Sequence, residues 1–173
     1  EMATIAADMK FQGLDVINFS VGEPDFNTPS QIIEAGKKAM DDGFTKYTAG
    51  PGMIELRAAI CEKLERENGI YYDPSDVLVS NGEKQSLYNA CQALFESGDE
   101  VVVFRPYWVS FPEFVRLADA EPVLVETLPD ENFEPDFVDL ESKITPQIKG
   151  VILNSPSNPT GGVWNKKSII VPV

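Results

Sequence analysis

Short apolar runs alternate with helical patterns over the second half of the chain. Val77–Val79, Val101–Phe104, Val123–Val125 and Val151–Leu153 are each three or four residues long and have the composition of buried strands. Strands that are apolar on both faces are typical of parallel sheets, because the helices that connect such strands cover both faces of the sheet. The sequence therefore predicts an α/β fold, with a mainly parallel sheet flanked by helices.

Apolar spacing and end signals predict the remaining elements. Asp15–Phe19 is expected to form a short strand that leads into a loop at Gly22–Asp25. The predicted helices are Met2–Met9, a helix from a Thr28 cap with Pro29 in its first turn to about Gly43, Met53 to about Gly69, a helix through Leu87 and Leu94 that ends at Gly98, Trp108–Ala118, and Asp136–Ile144.

Charge and cysteine content exclude several classes of function. Twenty-eight acidic and 14 basic residues give a net charge of −14, which disfavours nucleic acid and anionic membranes as partners. The sequence has neither an apolar span nor a signal peptide within Glu1–Lys10. Cys61 and Cys91 lie in helical patterns without any histidine, so we expect two buried reduced thiols, no metal site and a cytoplasmic location.

Three loops follow predicted strands and are the candidate ligand-binding segments. They are Ser80–Lys84, Arg105–Trp108 and Asn154–Gly162. In open parallel sheets, ligands bind beyond the carboxyl ends of the strands, so all three loops could face one crevice.

Each loop has a functional and a structural interpretation. Gly82 and the free N–H groups of Glu83 and Lys84 would suit a phosphate, although Ser-Asn-Gly is also an ordinary turn. Trp108 could stack on an aromatic ring or pack in the core. The Asn158 amide could contact a ligand from a rigid loop, or that loop could simply face solvent.

Five segments, in order along the chain, resemble successive signatures of the class I aminotransferases of the aspartate aminotransferase type. This resemblance implies a pyridoxal-phosphate (PLP)-dependent transferase of fold type I, with 1–42 as a small-domain segment and 43–173 as the first half of the PLP-binding large domain. The five segments are Phe19–Phe26, Lys46–Gly52, Asn81–Gln85, Pro106–Trp108 and Asn154–Gly161.

The resemblance also implies roles for individual residues in the cofactor site. Gly82, Glu83 and Lys84 would bind the PLP phosphate through their backbone. Trp108 would stack on the pyridine ring, and Asn158 would hydrogen-bond the phenolic oxygen of the cofactor. The Asn158–Pro159 peptide bond is one that the family often holds cis.

Further residues are implied in substrate binding and dimer formation. Tyr47 would reach the phosphate of the partner's cofactor across a homodimer interface, and Gly22 would lie against the substrate carboxylate. Lys84 would meet the distal carboxylate of an acidic substrate, which favours aspartate, and Trp108 and Asn158 would also border the substrate. The expected substrates are an amino acid and a 2-oxo acid.

The reactive half of such a site is expected beyond residue 173. The family places its Schiff-base lysine there, together with an aspartate for the pyridine nitrogen and an arginine for the α-carboxylate. None of the ten lysines present lies in a matching motif, so no catalytic residue is assigned. The chain is therefore expected to be a truncated, inactive fragment of a transaminase.

Three alternatives remain open on the sequence alone. The first is another fold type I PLP enzyme, such as an aromatic or alanine aminotransferase or an aminocyclopropane-carboxylate synthase. The second is a non-catalytic remnant that binds phosphate or dimerises. The third is a doubly wound domain that binds another phosphorylated ligand at Gly82–Lys84, although no Gly-x-Gly-x-x-Gly or P-loop pattern supports it.

Overall fold

A computed structural model describes residues 2–17 and 22–169. The chain divides into two compact units, Glu1–Thr48 and Ala49–Val173. The predicted domain boundary after residue 42 stays a prediction.

The first unit contains two helices, α1 (Met2–Phe11) and α2 (Ser30–Asp41). The prediction of Thr28 as the cap of α2 is wrong by one residue. Pro29 is the cap, and its carbonyl accepts the N–H groups of Ile32 and Ile33 at 2.9 and 3.2 Å, so the hydrogen bonds of the helix start there.

The predicted strand Asp15–Phe19 is not found where the structure describes it. Asp15–Ile17 has no regular secondary structure, and Asn18 and Phe19 lie outside the described residues. The predicted loop at Gly22–Asp25 is confirmed.

The second unit is built on a parallel sheet, as predicted. Its central strand β1 (Glu100–Phe104) pairs with β2 (Glu121–Val125) on one side, and Val102 lies opposite Val123. On the other side β1 pairs with β5 (Ile148–Ile152). A short antiparallel hairpin, β3 (Thr127–Leu128) and β4 (Glu134–Pro135), follows β2 and was not predicted.

Helices precede, connect and follow these strands, and α5 and α6 pack against β2. They are α3 (Ile54–Asn68), α4 (Gly82–Leu94), α5 (Ser110–Leu117), α6 (Phe137–Lys143) and α7 (Lys166–Ile169), with 3₁₀ turns at Pro74–Asp76 and Pro129–Glu131. Helix α3 ends at Gly69 as predicted. Helix α4 ends at Leu94, four residues before the predicted Gly98, because Phe95 adopts an extended conformation and packs on the core. Beyond the helix, the Asp99 carboxylate accepts the Glu96 N–H at 3.0 Å.

The predicted strand Val77–Val79 is wrong. The Val77 N–H donates to Pro74 O of the preceding turn, and the Val79 N–H donates to Pro51 O at 2.9 Å. The segment has the composition of a strand, but the described residues bring no strand beside it, and Leu78 is 63% exposed.

Strand β1 forms the centre of the core, and Val101, Val102 and Val103 are at most 1% exposed. Two apolar clusters cover its two faces. On one face Val101 and Val103 pack with Cys91, Phe111, Phe114, Val115, Ala118 and Ala120, and on the other Val102 and Phe104 pack with Val125 and Trp164. Both faces of the strand are therefore fixed, which makes its carboxyl end a rigid support for the loop that follows.

The two cysteines differ in burial. Cys91 is buried and burial raises the pKa of its thiol, whereas Cys61 is only half-buried. The expectation of two buried thiols thus holds for Cys91 alone. Among the described helices, none combines the length and apolarity that crossing a membrane requires.

Candidate active site

The Ser80–Lys84 loop ends in the amino terminus of α4. Gly82, the first helical residue, has φ +79°, and a Cβ there would meet nothing within 4 Å, so glycine is favoured by the backbone conformation and not by crowding. No side chain caps the amino terminus of the helix. Gln85 Oε1 accepts a hydrogen bond from the Asn81 N–H at 2.6 Å. Glu83 and Lys84 lie in the exposed first turn, where backbone N–H groups favour an anion.

Trp108 lies half-buried just before α5. Its indole packs edge-to-face against Phe111 and Phe114, with ring centroids 5.5 and 6.0 Å apart. The Lys84 ammonium lies over the same indole, 5.1 Å from the ring centroid. The first two predicted loops therefore meet at Trp108, and a cation–π contact joins them.

The Asn154–Gly162 loop is closed by its own hydrogen bonds. Asn154 Oδ1 accepts the Asn158 N–H at 2.8 Å, and Gly162 O accepts the Ser157 N–H at 2.9 Å. The Gly161 N–H returns to Ser157 O at 2.7 Å. The Asn158 side chain is exposed, and among the described residues no hydrogen bond engages its amide. A rigid loop thus presents a free amide.

The Asn158–Pro159 peptide bond is cis, as the resemblance implied. The bonds Arg105–Pro106 and Ser155–Pro156 are also cis and were not anticipated.

A small cleft joins the second and third loops. Tyr107 and Asn158 line it from the two loops, and Ile152 at the end of β5 lies between them. Thr127, Phe133 and Trp164 also line it, and none of these three has a role predicted from the sequence. The only sequence signal for Trp164 is a large aromatic residue placed shortly after a Gly-Gly pair.

Charged side chains hold the end of β2 behind the second loop. Arg105 pairs with Glu126 at 2.9 Å, and the Glu126 N–H donates to Asp139 Oδ2 at 2.8 Å. Lys143 Nζ lies 2.7 Å from both Asp139 Oδ2 and Leu124 O. The Lys143 hydrogen bond, with the one from the Glu126 backbone, lowers the pKa of the Asp139 carboxyl.

Gly22 and Tyr47 belong to the first unit. Gly22 lies in an exposed loop, and the Tyr47 side chain is fully exposed. Their implied roles at the substrate carboxylate and across a dimer interface remain predictions.

Comparison with known proteins agrees with the motifs. Residues 14–169 match the family described as aminotransferase class I and II. The aspartate/prephenate aminotransferase of Thermus thermophilus is 47% identical over 162 residues, which are 94% of this chain and 42% of that protein.

Two solved structures share the fold. The aspartate aminotransferase from Thermus thermophilus with maleate superposes with a TM-score of 0.92 at 45% identity, over 97% of this chain and 44% of that one. The alanine aminotransferase from Pyrococcus furiosus gives 0.91 at 33% identity, again over 97% and 44%. The chain thus spans less than half the length of these relatives, with the fold type I architecture in that part. Since the family match covers most of its length, the chain belongs to the class I and II aminotransferases.

Proposed function

We propose that the protein to which this chain belongs is a PLP-dependent transaminase that moves an amino group between aspartate and a 2-oxo acid. This chain would supply the part of the pocket that binds the cofactor. The observation that carries the proposal is the contact of Lys84 with Trp108, which joins a helix amino terminus suited to phosphate with an aromatic surface suited to a pyridine ring.

The amino terminus of α4 fits the cofactor phosphate. Its first-turn N–H groups have no side-chain cap, and a helix of 13 residues directs the positive end of its dipole toward them. Because a Cβ at Gly82 would meet nothing, an approaching phosphate finds open space there. The backbone of Gly82, Glu83 and Lys84 would hold it.

Trp108 and Asn158 fit the cofactor ring. The two phenylalanines fix the indole from the side, so it can offer a rigid flat surface for stacking. The free amide of Asn158 can donate to the phenolic oxygen of the ring. When bound, PLP withdraws electrons from the substrate so that the α-carbon can lose a proton. That proton transfer would need a lysine, and no lysine of this chain is assigned to it.

Lys84 is the candidate for recognising an acidic substrate. A pyridine ring stacked on the indole face that carries Lys84 would displace its ammonium, and the free ammonium could then pair with a distal carboxylate. The related Thermus thermophilus structure contains maleate, a dicarboxylate, which supports this substrate class. From the resemblance, Gly22 would lie against the substrate carboxylate and Tyr47 would reach the partner's cofactor in a homodimer.

The full-length protein, loaded with PLP, provides the test. Amino transfer from aspartate to 2-oxoglutarate should be followed in a coupled assay, in parallel with Lys84→Ala and with Lys63→Ala as a control, since Lys63 is an exposed lysine on α3 paired with Glu67. Lys84→Ala should lower kcat/KM for aspartate by about tenfold or more, the scale of a charge-assisted hydrogen bond, and change kcat/KM for alanine less. Absence of transfer with every amino donor would refute the proposal.

A second candidate differs in the substrate only. The similarity to an alanine aminotransferase and to an aspartate/prephenate aminotransferase leaves alanine as donor and prephenate as acceptor to be measured. If alanine is preferred and Lys84→Ala has no effect on kcat/KM for aspartate, the aspartate assignment fails while transamination stands.

A further inference from the structure

Trp164 connects three parts of the site region that are distant in sequence. The side chain is 7% exposed, and its ring packs edge-to-face on Phe104 at the carboxyl end of β1, with centroids 4.8 Å apart. Its indole N–H donates to Phe133 O at 2.8 Å, in the turn of the β3–β4 hairpin. Its backbone N–H donates to Ser155 Oγ at 3.0 Å, in the loop that carries Asn158.

The hairpin turn is shaped to reach this indole. Asn132 and Phe133 have φ +57° and +59°, a left-handed conformation that asparagine tolerates but that is unfavourable for phenylalanine. Two successive residues in this conformation bring the Phe133 carbonyl to the Trp164 N–H. This part-buried hydrogen bond thus holds the hairpin against Trp164, two residues after the loop.

A second contact between hairpin and loop lies at Gly162. A Cβ on Gly162 would lie 2.7 Å from Asn132 O, so the two backbones touch without room for a side chain. Gly162 O in turn accepts the Ser157 N–H, next to Asn158. The hairpin therefore contacts the last residue of the loop, Gly162, as well as Trp164 just after it. Gly162 in turn is hydrogen-bonded to Ser157, the residue before Asn158.

We propose that Trp164 is a positioning residue: its indole fixes the Asn154–Gly162 loop to the β3–β4 hairpin and thereby holds the Asn158 amide in place. Trp164 itself would not touch the cofactor. The contact that Asn158 makes there rests on the proposed function, whereas the support of the loop by Trp164 does not.

The first test measures the loop directly, with or without cofactor. In the full-length protein, Trp164→Phe removes the N–H donor and keeps a ring against Phe104. Hydrogen exchange at the Ser157 and Asn158 amides should become about tenfold faster, the scale of one lost buried hydrogen bond. Gly162→Ala, which crowds Asn132 O, should accelerate the same amides. Rates within twofold of the parent in both variants would overturn the proposal.

A matched control removes a half-buried hydrogen bond at the opposite end of β1. Thr145 Oγ1 donates to Glu100 Oε2 there, so Thr145→Val should leave exchange in 154–162 unchanged. If Thr145→Val accelerates that loop as much as Trp164→Phe does, the effect is one of general stability and the proposal fails.

The second test asks whether Trp164 acts through Asn158. In PLP-loaded protein, the pH midpoint of the cofactor absorbance change should shift in Trp164→Phe in the same direction as in Asn158→Ala, but by less. Adding Trp164→Phe to Asn158→Ala should give no further shift, whereas additive shifts would overturn the proposal. If the protein binds no PLP, the proposed function fails, and the exchange rates alone decide the role of Trp164.

Discussion

Gly150 in β5 provides a sharp test of the packing beneath the candidate site. An added Cβ would lie 2.7 Å from both Cε1 and Cζ of Phe95, the residue that follows α4. Ordinary carbon–carbon contacts lie at about 3.5–4.0 Å, so Gly150→Ala requires a displacement of nearly an ångström. Phe95 packs against the core cluster of Val101 and Phe114, and its ring therefore cannot swing away freely.

The size of the effect follows from two opposing terms. Replacing glycine by alanine restricts the unfolded chain, which stabilises by about 0.4–1 kcal/mol when the backbone accepts alanine. Overpacking a filled core costs about 1–3 kcal/mol. We therefore expect Gly150→Ala to lower the free energy of unfolding by about 1–2 kcal/mol. Phe95→Leu should relieve the contact, so the double variant should be more stable than the sum of the two single effects predicts, by at least about 0.5 kcal/mol.

Denaturant titrations of the four members of this cycle, which are the parent, the two single variants and the double variant, give the stability differences when followed by tryptophan fluorescence. Gly36→Ala is the control, because Gly36 lies on exposed α2 with nothing within 4 Å of an added Cβ. It should stabilise by up to about 1 kcal/mol. Additive effects of Gly150→Ala and Phe95→Leu would show that the predicted crowding does not exist.

Three further predictions concern other parts of the chain. The pKa of Asp139 lies below the ordinary carboxyl value of 3.8, so its pairing with Lys143 stabilises the fold above that pH and is lost as the pH falls through the lowered pKa. In a plot of the free energy of unfolding against pH, Asp139→Asn should therefore flatten the acid limb. An unchanged acid limb would contradict the pairing. Under native conditions a thiol reagent should label half-buried Cys61 well before Cys91, because Cys91 is buried and burial raises the pKa of its thiol. Mass spectrometry of the digested protein measures the order of labelling, and the opposite order would contradict this prediction. Lys84→Met should weaken the quenching of Trp108 fluorescence, and an unchanged spectrum would argue against the cation–π contact in solution.

The sheet was predictable where an apolar run had a partner in the chain. Val123–Val125 and Val77–Val79 have the same sequence, Val-Leu-Val, yet only the first lies in a strand. The difference is that β1 lies beside Val123, whereas the backbone of Val77–Val79 bonds to a preceding turn and to Pro51. A short apolar pattern reports burial tendency, and pairing depends on the rest of the fold.

Helix ends were predictable where a single residue determines the backbone conformation that ends the helix. Gly69 adopts the left-handed conformation that ends α3, as its position suggested. At the end of α4, packing of the Phe95 side chain onto the core ends the helix before Gly98 is reached. Gly98 is a local signal for a helix end, but the tertiary contact of Phe95 ends the helix earlier in the chain.

In the candidate site, too, some residues have a signal in the sequence and others do not. Gly82, Trp108 and Asn158 could be named as candidates from the sequence because they lie in segments that resemble family motifs. The residues that support Asn158 could not be identified from the sequence in this way. The Trp164 indole N–H donates to the backbone carbonyl of Phe133, and every residue has such a carbonyl. That carbonyl is oriented by two successive residues with positive φ, a conformation that asparagine favours at position 132 but that the sequence does not signal at Phe133. Trp164 supplies the side-chain donor to that carbonyl, so its substitution is the most direct way to separate the residues that would contact the cofactor from those that hold them.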